Sequence, residues 1–131
     1  ATWASGFDGD RQAGLRMLRA CVDEEGISSP IAAIVFLSFH LDARTFFNEA
    51  PSTADLDACA DMLEWGAHRY TDSIFFALLR ADWRACRREL SAAAAVLEQS
   101  LALPVAQMHG IGAAVHYKIG AYRLGCLEWT A

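Results

Sequence analysis

Four histidines and four cysteines are the residues of this 131-residue chain whose chemistry could reach beyond packing. His109 and His116 are seven residues apart, so on a helix they share a face. With Cys126 or His40 they hold the donor types of a metal or haem-iron site. Helical spacing alone does not make such a site, and no carboxylate stands near them in sequence to orient an imidazole. Packed or surface histidines are the favoured reading, and no metal or cofactor is assigned. His40, with Asp42 and Arg44, reads as a polar patch on an otherwise apolar helix, and His68 lies near a helix end, where a cationic ring meets the dipole favourably. Asp8 with Asp10, and the triplet Asp23-Glu24-Glu25, are the carboxylates that acid–base work or calcium binding would use. Helix capping explains the first pair and a solvated terminus the triplet. No Gly-rich phosphate loop, nucleophile elbow or Ser/His/Asp arrangement is present, so no catalytic residue is named and a non-enzymatic role is expected.

Charge narrows the partners. The formal net charge is -5, which argues against a nucleic-acid backbone, because such binding rests on a basic surface releasing counterions. The one local basic excess, Arg80, Arg84, Arg87 and Arg88, is interrupted by Asp82 and followed by Glu89, and reads as a solvated helix face. Cys21, Cys59, Cys86 and Cys126 contain no C-x-x-C pair and sit in apolar or Ala-rich stretches, as reduced core cysteines do, so a reducing intracellular compartment is expected. The longest apolar run, Ile31 to Phe39, is too short to span a bilayer. A cytoplasmic setting stays open, as does peripheral association with a membrane.

The elements that must position these residues are helical. Alanine supplies 25 positions against 3 prolines and 9 glycines, and the apolar period is that of amphipathic helices throughout, with no convincing alternating segment. Asp8 or Asp10 can cap a first helix that Glu25-Gly26 ends. Ser28, Ser29 and Pro30 start a second, from about Ile31 to Phe47. Ser52, with Asp55 three positions on, opens a third that stops near Tyr70. A fourth runs from about Ser73 to Arg87, a fifth from Glu89 to Leu103, and a sixth from Val105 onward, interrupted by Gly110, Gly112, Gly120 and Gly125. Short connections make consecutive helices antiparallel neighbours, giving hairpins at about 8–49, 52–86 and 88–131 within one segment, 1–131. Trp3, Trp65, Trp83 and Trp129 fall about once per hairpin and are expected to pack between layers.

A repeat is visible inside this pattern. Ala81, Ala93 twelve residues on, Leu97 four further, Ser100 three further and Pro104 at the close form a small-small-large-small series. Small residues are needed where the two helices of a hairpin cross, and Leu97 fills the space between hairpins. This is the spacing of a tetratricopeptide repeat to within one residue at the closing proline. Ala58, Met62 and Gly66 give a looser earlier copy, and Ile119-Gly120 begins a later one. The twelve-residue step from Gly120 reaches position 132, and the chain begins at Ala1 without an initiator Met, so the expectation is a segment of a longer array.

Four segments in order carry a family resemblance. GFDGDRQAGLRML, Gly6 to Leu18, is similar to a Gly-Asp-Arg segment followed by Gly-Leu. SSPIAAIVFLSFHLDARTFF is similar to the Pro-started apolar helix that follows it, with Pro30, Ala33 and His40 in place. SIFFALLRADWRACRRELSAAAAVLEQSLAL is similar to a hairpin, and AYRLGCLEWTA ends on Glu128-Trp129 where the family has Asp-Trp before a helix. The chain thereby resembles the animal tetratricopeptide repeat thirty-nine proteins and the fungal inclusion-body clearance protein of the mitochondrial outer membrane. The resemblance implies an all-α, right-handed helix-hairpin solenoid of about six helices. It also implies a scaffold or adaptor with protein partners, up to a large complex, in a family associated with lipid homeostasis, inclusion clearance and ciliary or mitochondrial contexts. It does not imply catalysis.

Such arrays commonly bind peptides along the concave face built from the first helix of each pair. In the register above that face carries Phe75, Leu78, Asp82, Ala85 and Cys86 in one repeat and Ala114, Tyr117, Ala121 and Leu124 in the next. Of these, Phe75, Leu78, Asp82, Tyr117 and Leu124 are the candidate partner-binding residues. Basic and amide groups that would grip a carboxylate tail are absent there, so the expectation is an apolar groove filled by a partner segment or by further helices of the protein itself. The alternative is a helical domain whose apolar interior holds a lipid or haem.

Overall fold

The structure, a computed structural model, describes residues 9–108 and 110–127. Asp8, His109, Glu128, Trp129 and Trp3 lie outside the described residues. Every regular element among the described residues is helical, and the fold is all-α, a tetratricopeptide-like arrangement of helical hairpins. The helices are α1 (Arg11–Asp23), α2 (Ser29–Ser38), α3 (Arg44–Phe46), α4 (Thr53–Arg69), α5 (Ile74–Cys86), α6 (Leu90–Ser100) and α7 (Ile111–Gly125). A π-turn, Phe39–Ala43, joins α2 to α3 without a break, so the described residues form six continuous helical stretches. By backbone contacts the chain divides into two compact units, Ala1–Phe36 and Leu37–Ala131.

In the first unit Asp10 caps α1 by accepting a bond from the Ala13 amide at 3.0 Å. Glu25 takes a left-handed conformation, φ 54°, and ends the helix beside Gly26 as expected. Ser29 was expected to cap the next helix from outside. It is instead the first residue of α2, and its buried hydroxyl donates to the Cys21 carbonyl at 2.8 Å, tying the turn to the end of α1. The bond satisfies a carbonyl in the last turn of the preceding helix.

In the second unit the Ser52–Asp55 capping box forms as the sequence predicts, with the Asp55 amide donating to Ser52 Oγ at 3.1 Å and the Ser52 amide donating to Asp55 Oδ2 at 2.8 Å. The most extensive packing joins α5 to α6, then α6 to α7, then α4 to α5. The α5–α6 pair straddles the 86/88 boundary drawn from connection lengths and coincides with the repeat drawn from Ala81 to Pro104. Ala81, Ala93 and Leu97 are all fully buried, and Ser100 nearly so, its hydroxyl donating to the Leu97 carbonyl at 2.7 Å. The alanines thus sit where two backbones approach, and Ile74, Ala106 and Val115 complete that core. Between α4 and α5 the same close approach uses Gly66: a Cβ there would fall 2.3 Å from the Phe76 ring.

The predicted sixth helix from Val105 onward divides in two. Pro104–Gln107 forms a single 3₁₀ turn, and Gly110 at φ 87° redirects the chain before α7 starts at Ile111. Only glycine takes that conformation cheaply, so the residue that weakens a continuous helix is what allows the break. Gly112 and Gly120 are accommodated inside α7, which runs for 15 residues.

Candidate functional site

Residues Phe75, Leu78 and Asp82 occupy α5 at steps of three and four, and Tyr117 and Leu124 occupy α7 at a step of seven, so each set lies along one side of its helix. Their environments differ. Phe75, Tyr117 and Leu124 are exposed, Tyr117 at 78% and Leu124 at 56%. Leu78 packs against the core of Ile74, Ala81 and Leu97. Asp82 is buried at 8% exposure. Two of the five candidates are therefore part of the helix packing, and on α7 Ala113, Ala114 and Ala121 are exposed with Tyr117 and Leu124.

Asp82 is buried because α7 supplies its partners. Lys118 Nζ donates to both carboxylate oxygens at 2.6 Å, and the Tyr122 hydroxyl donates to Oδ1. Burial, with the Asp82 carboxylate beside it, pushes the Tyr122 phenol well above its ordinary range, so it stays a donor at any ordinary pH. The ion pair and the phenol hold the first helix of one repeat against the first helix of the next. Lys118 and Tyr122 were not singled out from the sequence. A signal existed: they stand 36 and 40 residues after Asp82, bracketing one repeat step, and equivalent helices in such an array are neighbours.

A second polar cluster surrounds the π-turn. Of the expected polar patch of His40, Asp42 and Arg44, His40 is buried and lies beside Arg44, whereas Asp42 is exposed. The extra residue of a π-turn shifts the helix face, and His40 meets Asp55, Nδ1 to Oδ1 3.7 Å, and Arg44, Nη1 to Nδ1 3.3 Å. Arg44 Nη1 also donates to Asp55 Oδ2 at 2.6 Å. Burial lowers the His40 imidazole, opposed by the Asp55 charge and reinforced by that of Arg44. Burial alone would raise Asp55, but bonds from the Ser52 amide, Arg44 and the Ser52 hydroxyl bring it down to about 2. One carboxylate thus caps α4 and anchors the π-turn and α3. Sequence distance hid this, since Asp55 was already explained by its cap.

The arginine cluster on α5 is more structured than a solvated face. Arg84 and Arg87 lie over the Trp83 ring, 5.3 and 4.7 Å from its centroid, and both donate to Glu89, at 2.6 and 2.9 Å. Trp83 Nε1 donates to the Leu56 carbonyl of α4 at 2.9 Å, which ties α5 to the neighbouring helix of its own hairpin. Trp65 packs edge-on to Phe76.

No group of three or more His, Cys, Asp or Glu among the described residues is placed to hold a metal ion. His116 is exposed on α7. The four cysteines are unpaired; Cys59 is buried and its thiol is pushed up to about 12 by burial first and the Asp55 charge second, whereas Cys126 is exposed and not a core residue. No helix of the described residues is long and apolar enough to cross a membrane.

No curated protein and no solved structure matches the chain. The model of one family, Iml2/Tetratricopeptide repeat protein 39, matches residues 4–129. The order of segments, the buried small-residue repeat of α5 and α6 and the extent of that match agree, and the chain belongs to the Iml2/Tetratricopeptide repeat protein 39 family.

Proposed function

We propose that the chain is a non-catalytic scaffold or adaptor segment that binds protein partners within a larger assembly, in a reducing intracellular compartment. The observation that carries this reading is the outward face of α7. Tyr117 and Leu124, seven residues apart, are exposed together with the small residues Ala113, Ala114 and Ala121. Adjacent exposed apolar side chains of this kind mark interaction surfaces. The Asp82–Lys118–Tyr122 cluster holds the helix that carries them, so the face is presented in a set position. Four cysteines without a disulfide, Cys59 among them buried, support the reducing compartment.

The test is photo-crosslinking in cells, with a photoreactive phenylalanine analogue replacing Tyr117 in the full-length protein. The expected result is a discrete protein adduct that is lost when Leu124 is also changed to Glu. A purified protein that instead carries a haem absorbance band or co-extracted lipid, with no adduct, would overturn the reading in favour of a ligand-binding domain.

A further inference from the structure

Between the end of α4, α5 and α6 lies an open concavity of about 310 Å³ whose apolar wall includes Phe76 and Leu103 and whose polar groups are donor-rich: Thr71, Ser73, Arg80 and Gln99. No carboxylate is among its lining residues, although the chain carries 16 acidic residues against 11 basic ones. Arg80 sets it apart. The neighbouring helix cations are matched by carboxylates: Arg84 by Glu89, Lys118 by Asp82 and Arg123 by Glu98. Arg80 Nη2 donates to the Leu63 carbonyl at a long 3.4 Å, and no carboxylate among the described residues pairs with this half-buried guanidinium.

Arg80 and Ala67 also border a second concavity of about 340 Å³, where Glu64 and His68 stand opposite Trp83 and Arg84. That side already holds a negative charge and a committed arginine. The first concavity offers one uncommitted positive charge, neutral donors and an apolar wall, which is complementary to a single negative charge on an apolar stem. A dianion would leave part of its charge unmatched and desolvated.

We propose that this concavity binds an acidic side chain of a partner protein segment, a carboxylate flanked by aliphatic residues, with Arg80 as the charge that receives it and Gln99 as a second donor. The proposal rests on the interaction-scaffold reading and adds a second contact surface, distinct from α7, with a stated chemistry. Bidentate arginine–carboxylate pairing in a half-buried site gives both strength and direction.

The test uses isotope-labelled full-length protein and three probes: the blocked pentapeptide Gly-Leu-Glu-Leu-Gly, the same peptide with Gln for Glu, and free glutarate. Saturable shifts of the Arg80 Nε–H and Gln99 side-chain amide signals are expected with the Glu peptide. Binding should be at least tenfold weaker for the Gln peptide, for glutarate and for the Arg80→Gln variant. That variant should keep the wild-type unfolding midpoint, since it loses only one long bond. Equal binding of the Glu and Gln peptides, retained affinity in Arg80→Gln, glutarate binding as tightly as the peptide, or no saturable shift each overturns the proposal. Crosslinking through Tyr117 is read independently, so a scaffold without this acidic-segment site and a chain that binds no protein give different results.

Discussion

Lys118 of α7 donates to both oxygens of Asp82 on α5, at 2.6 Å each, with Asp82 at 8% exposure. Removing one partner of a buried pair leaves the other uncompensated, which costs more than the pair contributes. Asp82→Ala should therefore destabilise by about 3 kcal/mol, and Tyr122→Phe, which removes one neutral donor, by about 1 kcal/mol. Urea unfolding of the single and double variants measures this. Additive effects of Asp82→Ala and Lys118→Met would show that the two residues do not act as a unit.

The π-turn cluster gives two separate acid limbs. His40 is lowered from 6.5 in the fold, so the unfolded chain binds its proton first; the contribution is present above pH 6.5 and lost as pH falls below it. Asp55 is lowered from 3.8 to about 2, so its contribution is present above about pH 4 and lost between pH 4 and 2. In a stability–pH titration His40→Gln should flatten the upper limb and Asp55→Asn the lower, and because the Asp55 charge opposes the lowering of His40, Asp55→Asn should also deepen the upper limb. A single limb unaffected by either variant would contradict the assignment.

Gly66 admits no side chain. A Cβ would sit 2.3 Å from the Phe76 ring, which is buried and stacked on Tyr70 at 5.9 Å between centroids. Gly66→Ala should cost about 1–3 kcal/mol through overpacking despite its better helix propensity. The double variant with Phe76→Leu should be less destabilised than the sum of the singles, measured by thermal unfolding.

Arg88 ends the α5 hairpin turn at φ 64°, exposed, where a non-glycine residue carries a backbone penalty. Arg88→Gly should stabilise by about 1 kcal/mol, while Arg88→Val should destabilise. Chemical denaturation midpoints decide the sign.

Thiol reactivity should follow burial. Cys126 should react with an aromatic disulfide reagent in the native state, and Cys59, buried and pushed up to about 12, only after unfolding. Rapid native labelling of Cys59 would show that its pocket opens.

What the sequence by itself determined is local or periodic. Ser52 and Asp55 are three residues apart and form their capping box within one turn. Asp10 caps the helix that follows it. Ala81, Ala93, Leu97 and Ser100 are legible because a repeat places small side chains wherever two backbones cross, and all four are buried. What only the tertiary structure decided is which polar residues meet across helices. Asp82 reads as a groove residue until Lys118 and Tyr122 are brought to it, because a helical period gives a side and not the occupant of that side. His40 reads as part of a polar patch with Asp42 and Arg44 until Asp55, eleven residues beyond Arg44, is brought to it, and no propensity marks the π-turn on which it sits. Arg80 was one of four arginines in a row of charges; that Glu89 takes both Arg84 and Arg87 whereas Arg80 reaches across to the Leu63 carbonyl of α4 follows from how α4 and the α5–α6 turn are placed. Charge pairing depends on distances of a few ångströms, and those are set by packing.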